Sequence, residues 1–321
     1  MSAPGLVTLG ETMAALSSPG VGPLRHQPHL HLHVGGAESN VAIAVTRLGG
    51  VAAWVGRVGD DELGDLVLAQ LRGEGVDVRH AVRDAGAPTG LMVKSRRTPA
   101  VGRVAYYRAG SAGSRLAPAD LPLGRLRSAG VLHVTGITPA LSPSARAATF
   151  AAVEEARGAG VPVSLDVNHR AALWGPAEAG PVLAELAARA DVLFAGEDEA
   201  ELLLPPGDGA GDPAGLLRAL GGLGPATVVL KRGSRGALAL ADGALVEVPP
   251  HVVAAVDPVG AGDAFVGGYL AELLAGAGLR SRLATAAACG AFAVTVPGDW
   301  EGLPARRDLA LLAAPAGTVV R

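Results

Sequence analysis

The segment with the clearest chemical potential is Asp257–Phe265, in which a Gly-Ala-Gly-Asp run at 260–263 precedes an apolar helical pattern. The glycines let the backbone approach an anion closely, and free N–H groups at the predicted helix start point at it. Asp263 lies in that first turn, where we expect its ionised form to be stabilised. This arrangement predicts phosphoryl transfer to an alcohol, because a carboxylate can accept the hydroxyl proton while N–H groups stabilise the phosphoryl group. The predicted catalytic residues are Asp263, Gly260, Ala261 and Gly262.

Short apolar runs alternate with amphipathic helical patterns along most of the chain. The runs predicted as buried strands are 6–9, 52–55, 131–134, 161–165, 192–194 and 227–230. The predicted helices are 40–48, 62–73, 143–158, 181–189, 212–220, 262–275, 281–293 and 306–313, with Pro143 and Pro181 in first turns, where proline is tolerated. This alternation predicts an α/β fold with a mostly parallel sheet covered by helices on both faces.

Two stretches, 12–34 and 88–108, have no helical pattern and alternate apolar with polar residues. We expect them to form antiparallel strands that project from the core as a small lid. Four histidines at 26, 29, 31 and 33 fall in the first stretch, but they lack the Cys, Asp or Glu partners of a typical metal site. No linker divides the chain, so we expect a single domain over 1–321.

Composition excludes several classes of function. The chain has 321 residues and a formal net charge of −3 with no block of like charge, so nucleic-acid binding is not expected. No apolar run reaches membrane-spanning length, and the N-terminal residues do not resemble a secretory signal. The single cysteine, Cys289, is typical of a reducing compartment, and we expect a cytoplasmic protein.

The segment 257–265 resembles the C-terminal signature of the ribokinase-like sugar kinases, the PfkB family. Residues 35–40 resemble the family's Gly-Gly pair followed by Asn, and 56–64 resembles its glycine-aspartate turn. The matches follow the family's order across nearly the whole chain. The resemblance implies a ribokinase-like three-layer α/β/α sandwich with a small β-sheet lid. It also implies ATP and Mg²⁺ as co-substrates, and a sugar hydroxyl as phosphoryl acceptor.

Five segments resemble the subgroup of this family that phosphorylates 2-keto-3-deoxygluconate, a sugar acid. They are 35–40, 106–112, 136–142, 166–170 and 297–302. The substrate-binding residues implied by the resemblance are Gly35, Gly36, Asn40, Tyr106, Arg108, Arg170, Asp263 and Asp299. Arg108 and Arg170 suit a carboxylate-bearing substrate, because a guanidinium group offers several donors in one plane. Asp299 would lie near the substrate or a monovalent cation.

The turn at 231–236 follows a predicted strand and resembles the turn that the family places beside the ATP phosphates. Its glycines allow close backbone approach, and Lys231 or Arg235 could neutralise phosphate charge. The nucleotide-binding residues implied in this way are Lys231, Gly233, Ser234, Gly236, Gly260 and Gly262. Glu199 matches the acidic end of the family's Asn-x-x-Glu motif, which is associated with Mg²⁺. Gly196 stands where that motif has Asn.

Other departures leave the acceptor open. Pro258 and Ala287 replace Thr and Asn of many relatives, and 89–92 lacks the aromatic residue common in the subgroup. The alternatives are a kinase for fructose, ribose or a related sugar acid, and a non-catalytic sugar- or nucleotide-binding protein. A nicotinamide dehydrogenase is excluded, since 9–13 has no Gly-x-Gly-x-x-Gly after the first strand. Because lid strands present free edges, we expect a homo-oligomer that assembles through the lid.

Overall fold

The computed structural model describes residues 4–98, 101–205, 207–208 and 211–314. Its strands are Leu6–Leu9 (β1), Met13–Val21 (β2), His31–Gly35 (β3), Ala52–Val55 (β4), Arg57–Gly59 (β5), Val82–Asp84 (β6), Leu91–Thr98 (β7), Val101–Tyr107 (β8), Val131–Thr135 (β9), Val163–Asp166 (β10), Val192–Gly196 (β11), Thr227–Lys231 (β12), Ala237–Ala241 (β13) and Ala244–Val248 (β14). Its α-helices are Ala37–Arg47 (α1), Glu62–Gly73 (α2), Leu123–Arg127 (α3), Thr138–Leu141 (α4), Pro143–Gly158 (α5), Pro176–Ala187 (α6), Glu197–Leu202 (α7), Pro213–Gly221 (α8), Ala261–Leu274 (α9) and Leu279–Ala293 (α10).

The large sheet has eight strands in the order β4-β1-β9-β10-β11-β12-β13-β14. The six strands from β4 to β12 are parallel, while β13 and β14 continue the sheet as an antiparallel hairpin. The mostly parallel sheet predicted from the sequence is confirmed. The edge hairpin was not predicted from the sequence.

Helices cover both faces of this sheet. On one face, α1, α9 and α10 bury Trp54, Phe194 and Tyr269, and the last two rings meet edge to face with centroids 5.1 Å apart. On the other face, α5, α6 and α8 bury aliphatic residues of β9, β10 and β11. Small residues allow α9 and α1 to pack closely. An added Cβ at Gly267 on α9 would lie only 2.3 Å from the Cβ of Ala44 on α1. This close contact between α9 and α1 positions the active-site residues that lie one turn earlier on each helix.

A smaller sheet of four strands, in the order β3-β2-β7-β8, forms the projecting lid. Its strands fall within or next to the two stretches predicted for it, and the hairpins β2–β3 and β7–β8 are antiparallel as expected. The central pair β2–β7 is parallel, which corrects the prediction of a fully antiparallel lid. The two hairpins pair with each other through their first strands, β2 and β7, and both strands run away from the body in the same direction.

Two helical predictions need correction. Pro181 lies inside α6, and Pro176 holds the first-turn position that favours proline. Residues 306–313 form a 3-10 helix, Arg306–Ala313, and not an α-helix. Within the part of the chain described above, no helix combines the length and apolar character needed to cross a membrane.

Candidate active site

A cavity of about 1040 Å³ lies between the lid and the carboxyl ends of the parallel strands, which is where open α/β sheets usually bind ligands. The predicted residues that line it are Gly35, Gly36, Asn40, Tyr106, Arg108, Arg170, Glu199, Lys231, Gly260, Gly262, Asp263 and Asp299. Residues from the two ends of the chain thus share one cavity. Ala261 and the turn residues Gly233, Ser234 and Gly236 do not line it.

Asp263 lies in the first turn of α9 and is buried. The side-chain amide of Asn40 on α1 donates to its Oδ2 at 2.7 Å, and that of Asn168 donates to Oδ1 at 3.4 Å. Asn168 follows β10 and has a φ of 38°, an uncommon conformation for a residue other than glycine. Sequence reasoning missed Asn168 as a site residue, although it falls in a segment already singled out. Two amides therefore fix the orientation of the carboxylate.

Burial raises the pKa of Asp263 to about 6, against the opposing effects of the Asn40 hydrogen bond and the Arg170 charge. The sequence had suggested that the helix start stabilises the ionised form. The structure corrects this, because the carboxyl group has lost its contact with solvent and also lies near Asp166. A carboxyl group with a raised pKa is a stronger base once it is ionised, which suits proton abstraction from an alcohol.

Backbone N–H groups lie beside this carboxylate. Gly260 is the N-cap of α9 and has a φ of 75°, the left-handed conformation that favours glycine. The hydrogen bond from Ala264 N to the Gly260 carbonyl, at 2.8 Å, starts the helical ladder. The N–H groups of Gly262 and Asp263 precede that ladder, and the helix dipole favours negative charge in front of them. The arrangement can hold a phosphoryl group next to Asp263.

Lys231 ends β12 and brings a positive charge to the same end of the cavity. Its Nζ lies 2.5 Å from Oδ1 of Asp166 and 3.9 Å from Oε2 of Glu199. Burial by itself would lower the pKa of Lys231, but Asp166 and Glu199 outweigh it and the pKa is raised. The lysine therefore remains charged at neutral pH.

Glu199 joins two segments of the cavity wall. Its Oε2 accepts a hydrogen bond from Gly196 N at 2.7 Å, and its Oε1 accepts one from His169 N at 3.0 Å. The first bond caps α7 and uses only backbone at position 196, so the glycine there keeps the local geometry of the motif. Within the described residues, no three His, Cys, Asp or Glu side chains lie close enough together to hold a metal ion by themselves.

The two predicted arginines differ in their partners. Arg108 at the end of the lid is buried against Glu11, with its Nη2 2.6 Å from Oε2 of that carboxylate. Arg170 is exposed at the rim and donates to the carbonyl of its neighbour His169 at 3.4 Å. Sequence reasoning missed Glu11, because a lone acid after a strand carries no recognisable spacing. Arg170 is thus the arginine better placed to receive an anionic group.

Asp299 lies between the Gly-Gly segment and the start of α9. An added Cβ at Gly35 would lie 2.2 Å from its Oδ2, and one at Gly260 would lie 1.9 Å from its carbonyl oxygen. Its carboxylate contacts Lys94 on β7, which sequence analysis did not single out. The backbone of Asp299 therefore requires glycine at position 260, and its carboxylate fills the space beside Gly35.

The turn after β12 carries the other residues predicted to bind the nucleotide. Gly236 has a φ of 81°, and an added Cβ there would lie 2.2 Å from the carbonyl oxygen of Val248. Arg232 and Arg235 pair with Glu197. Packing against the edge hairpin explains this glycine without a ligand. Of the predicted turn residues, Lys231 alone lines the cavity.

Comparison with known proteins agrees with the site. The family model described as pfkB family carbohydrate kinase matches residues 3–306. The chain is 41% identical over 307 residues to the 2-dehydro-3-deoxygluconokinase of Thermoproteus tenax, covering 94% of this chain and 92% of that protein. It is 38% identical to that of Bacillus subtilis, covering 98% and 96%. An E. coli protein solved in complex with ATP and Mg²⁺ has a TM-score of 0.88 at 26% identity, covering 97% and 99%. Since the matched region contains every residue of the cavity, this chain belongs to the pfkB family of carbohydrate kinases.

Proposed function

We propose that the chain phosphorylates 2-keto-3-deoxygluconate, also called 2-dehydro-3-deoxygluconate, at its terminal hydroxyl with MgATP as donor. The observation that carries the proposal is one cavity with a buried carboxylate and anion hole at the inner end and Arg170 at the rim. A keto-deoxy sugar acid has a hydroxyl at one end and a carboxylate at the other. The names of the relatives from T. tenax and B. subtilis support the same acceptor.

The chemistry follows from the position of Asp263. Its carboxylate accepts the proton of the terminal hydroxyl, and the alcohol oxygen forms a bond to the γ-phosphorus as the bond to ADP breaks. The N–H groups of Gly262 and Asp263 stabilise the charge on the transferred phosphoryl group. Closure of the lid excludes water, which would otherwise compete with the sugar as acceptor.

Asp166 and Glu199 fit a magnesium ion that arrives with ATP. Both carboxylates face the cavity, and such oxygen ligands suit Mg²⁺, which usually keeps several of its waters. When bound, Mg²⁺ neutralises phosphate charge. The E. coli relative solved with ATP and Mg²⁺ supports this assignment. The turn residues Gly233, Ser234 and Gly236 remain proposed nucleotide contacts, and a monovalent cation near Asp299 remains a prediction.

ADP release with MgATP tests the acceptor. We expect strong activity on 2-keto-3-deoxygluconate or 2-keto-3-deoxygalactonate, and weak activity on fructose, ribose and gluconate. Replacing Arg170 by Met should raise KM for the acid by roughly tenfold or more, since a charge-assisted contact contributes about 1.5–3 kcal/mol. Arg307→Met is the matched control, because that side chain is 90% exposed and does not line the cavity.

The outcomes separate the alternatives. Preference for a neutral sugar, or equal losses on acid and neutral sugars in Arg170→Met, would contradict the sugar-acid assignment and leave a kinase for fructose or ribose. No ADP release with any of the five acceptors would favour a binding protein that kept the fold.

We also propose that the lid forms a homodimer. The register of the lid strands puts Leu32, Val101 and Tyr107 on the face opposite the cavity, and these side chains are 51%, 57% and 65% exposed. A second copy would cover this apolar face and pair the free strand edges. Sedimentation at micromolar concentration should show a dimer that Tyr107→Asp dissociates. Val252→Asp, at an apolar position outside the lid that is 98% exposed, should leave it intact. A monomeric parent protein would refute the proposal.

A further inference from the structure

Lys94 is the one cavity residue whose charge comes from the middle of a lid strand. It lies two residues after Met92 on β7, and its side chain is 11% exposed. It lines the cavity and contacts the carboxylate of Asp299, whose side chain is 7% exposed. A lid strand and a loop of the body therefore meet through a buried ion pair at the substrate cavity.

The partner of Lys94 occupies a central position. The carboxylate of Asp299 lies against Gly35 in the segment assigned to the sugar, and its carbonyl lies against Gly260 in the anion hole. The same loop has a second contact with the lid, because Glu301 accepts from Asp299 N at 2.8 Å and lies 3.1 Å from Nδ1 of His33. The position of Asp299 thus depends on the lid.

The charge balance of the cavity shows why this pairing matters. Six carboxyl side chains line it, namely Glu11, Glu38, Asp166, Glu199, Asp263 and Asp299. Four cationic side chains line it, namely Lys94, Arg108, Arg170 and Lys231. Arg108 is paired with Glu11 and Lys231 with Asp166, which leaves Lys94 to neutralise Asp299. Without Lys94, an unpaired carboxylate would face an acceptor that is itself an anion.

We propose that Lys94 is a positioning residue that makes the cavity selective for anionic acceptors, because it holds and neutralises Asp299 beside the bound sugar acid. The inference rests on the proposed sugar-acid function and deepens it. Arg170 attracts the carboxylate of the substrate, whereas Lys94 removes the repulsion that Asp299 would exert on it. A neutral acceptor experiences little of this repulsion, so it depends less on Lys94.

The pH dependence of KM offers a second test of the proposal, because Lys94 can lose its proton. Burial lowers the pKa of Lys94 to about 8, opposed by the charges of Asp257, Glu301 and Asp263. Arg96 lies 3.5 Å from Asp257, and His33 pairs with Glu301. The carboxylate of Asp299 that the lysine contacts also favours its charged form. Since the lysine is charged below its pKa and neutral above it, KM for an anionic acceptor should rise at alkaline pH.

The test compares 2-keto-3-deoxygluconate with its methyl ester, which keeps every hydroxyl and loses the charge. Lys94→Met should raise KM for the acid by roughly tenfold to a hundredfold and change KM for the ester by less than about threefold. Lys94→Arg should restore the acid KM and abolish its rise at alkaline pH. Arg103→Met is the control, since this exposed lid arginine on β8 lies outside the cavity lining.

Two failures can be told apart. If the parent enzyme does not prefer the acid to its ester, the proposed function fails and the inference fails with it. If the parent enzyme prefers the acid but Lys94→Met changes both KM values equally or neither, the inference alone is overturned. Should Lys94→Met not fold, a rise in KM at alkaline pH that persists in Lys94→Arg would overturn it.

Discussion

Asp263→Asn is expected to abolish most turnover while the protein remains folded and still binds its sugar. The amide keeps the shape of the carboxyl group and can still accept from Asn40, but it cannot take the hydroxyl proton. General-base catalysis contributes about 10²–10⁴-fold, so kcat should fall by that factor while KM for the acceptor changes little. Initial-rate measurements check this, and a near-normal kcat would refute the assignment of Asp263 as base.

The same substitution should stabilise the fold. The folded-state pKa of Asp263, about 6, lies above its ordinary value of 3.8, so folding favours the protonated form. Stability is then lost as pH rises through this interval, and at pH 7 the ionised carboxylate costs at most about 3 kcal/mol. Asparagine removes that cost and keeps the bond from Asn40, losing only the 3.4 Å hydrogen bond from Asn168 that its NH2 group cannot accept. Denaturant unfolding at pH 7 should show a more stable variant with a smaller advantage at pH 4, and a less stable variant would contradict the burial argument.

The pH dependence of the parent enzyme follows from the same group. Because the base must be ionised, kcat/KM should fall as pH drops below about 6, the pKa that burial gives Asp263. The profile of kcat/KM reports the free enzyme, which is the state that the structure describes.

Local chemistry was predictable from the sequence, and long-range contacts were not. The Gly-Ala-Gly-Asp segment specifies its own geometry, since glycine at 260 permits a left-handed φ and the residues after it start a helix. Asn168, Glu11 and Lys94 carry no such local signal. They enter the site because the ends of separate strands meet under a lid. The raised pKa of Asp263 was likewise unpredictable, because the helix dipole can be inferred from sequence and the loss of solvent cannot.

Glycine packing illustrates the same distinction. Sequence patterns suggested a ligand at both 236 and 260. At Gly236 the nearby backbone belongs to Val248 on the edge hairpin, which the sequence did not predict. At Gly260 the nearby backbone belongs to Asp299, inside the cavity. The glycines look alike in the sequence, and only the fold shows that one packs against the edge hairpin and the other against a residue of the cavity.

Gly260→Ala is expected to disable the enzyme more severely than an ordinary substitution of a loop glycine. Its φ of 75° costs a residue with a Cβ about 1–2 kcal/mol. In addition, the new Cβ would lie 1.9 Å from the carbonyl oxygen of Asp299, so either α9 or the loop at 297–302 must move. Because that movement separates the anion hole from Asp299, we expect kcat to fall by about 10²-fold or more, in the range for loss of an oxyanion-hole donor.

Two other glycine substitutions serve as controls for Gly260→Ala, because they separate backbone strain from the displacement of neighbouring atoms. Gly276 has a φ of 74° with no atom within 4 Å of an added Cβ, so Gly276→Ala should lose only the conformational term of about 1–2 kcal/mol and keep its kcat. An added Cβ at Gly262 would meet only Nζ of Lys231 at 3.7 Å, an ordinary contact, so Gly262→Ala should fold normally and test the crowding of the anion hole alone. The free energy of unfolding and kcat, measured for Gly260→Ala, Gly276→Ala and Gly262→Ala, distinguish these effects. If Gly260→Ala matches Gly276→Ala in both, Asp299 does not constrain the anion hole, and the coupling of the lid to phosphoryl transfer through this loop must be abandoned.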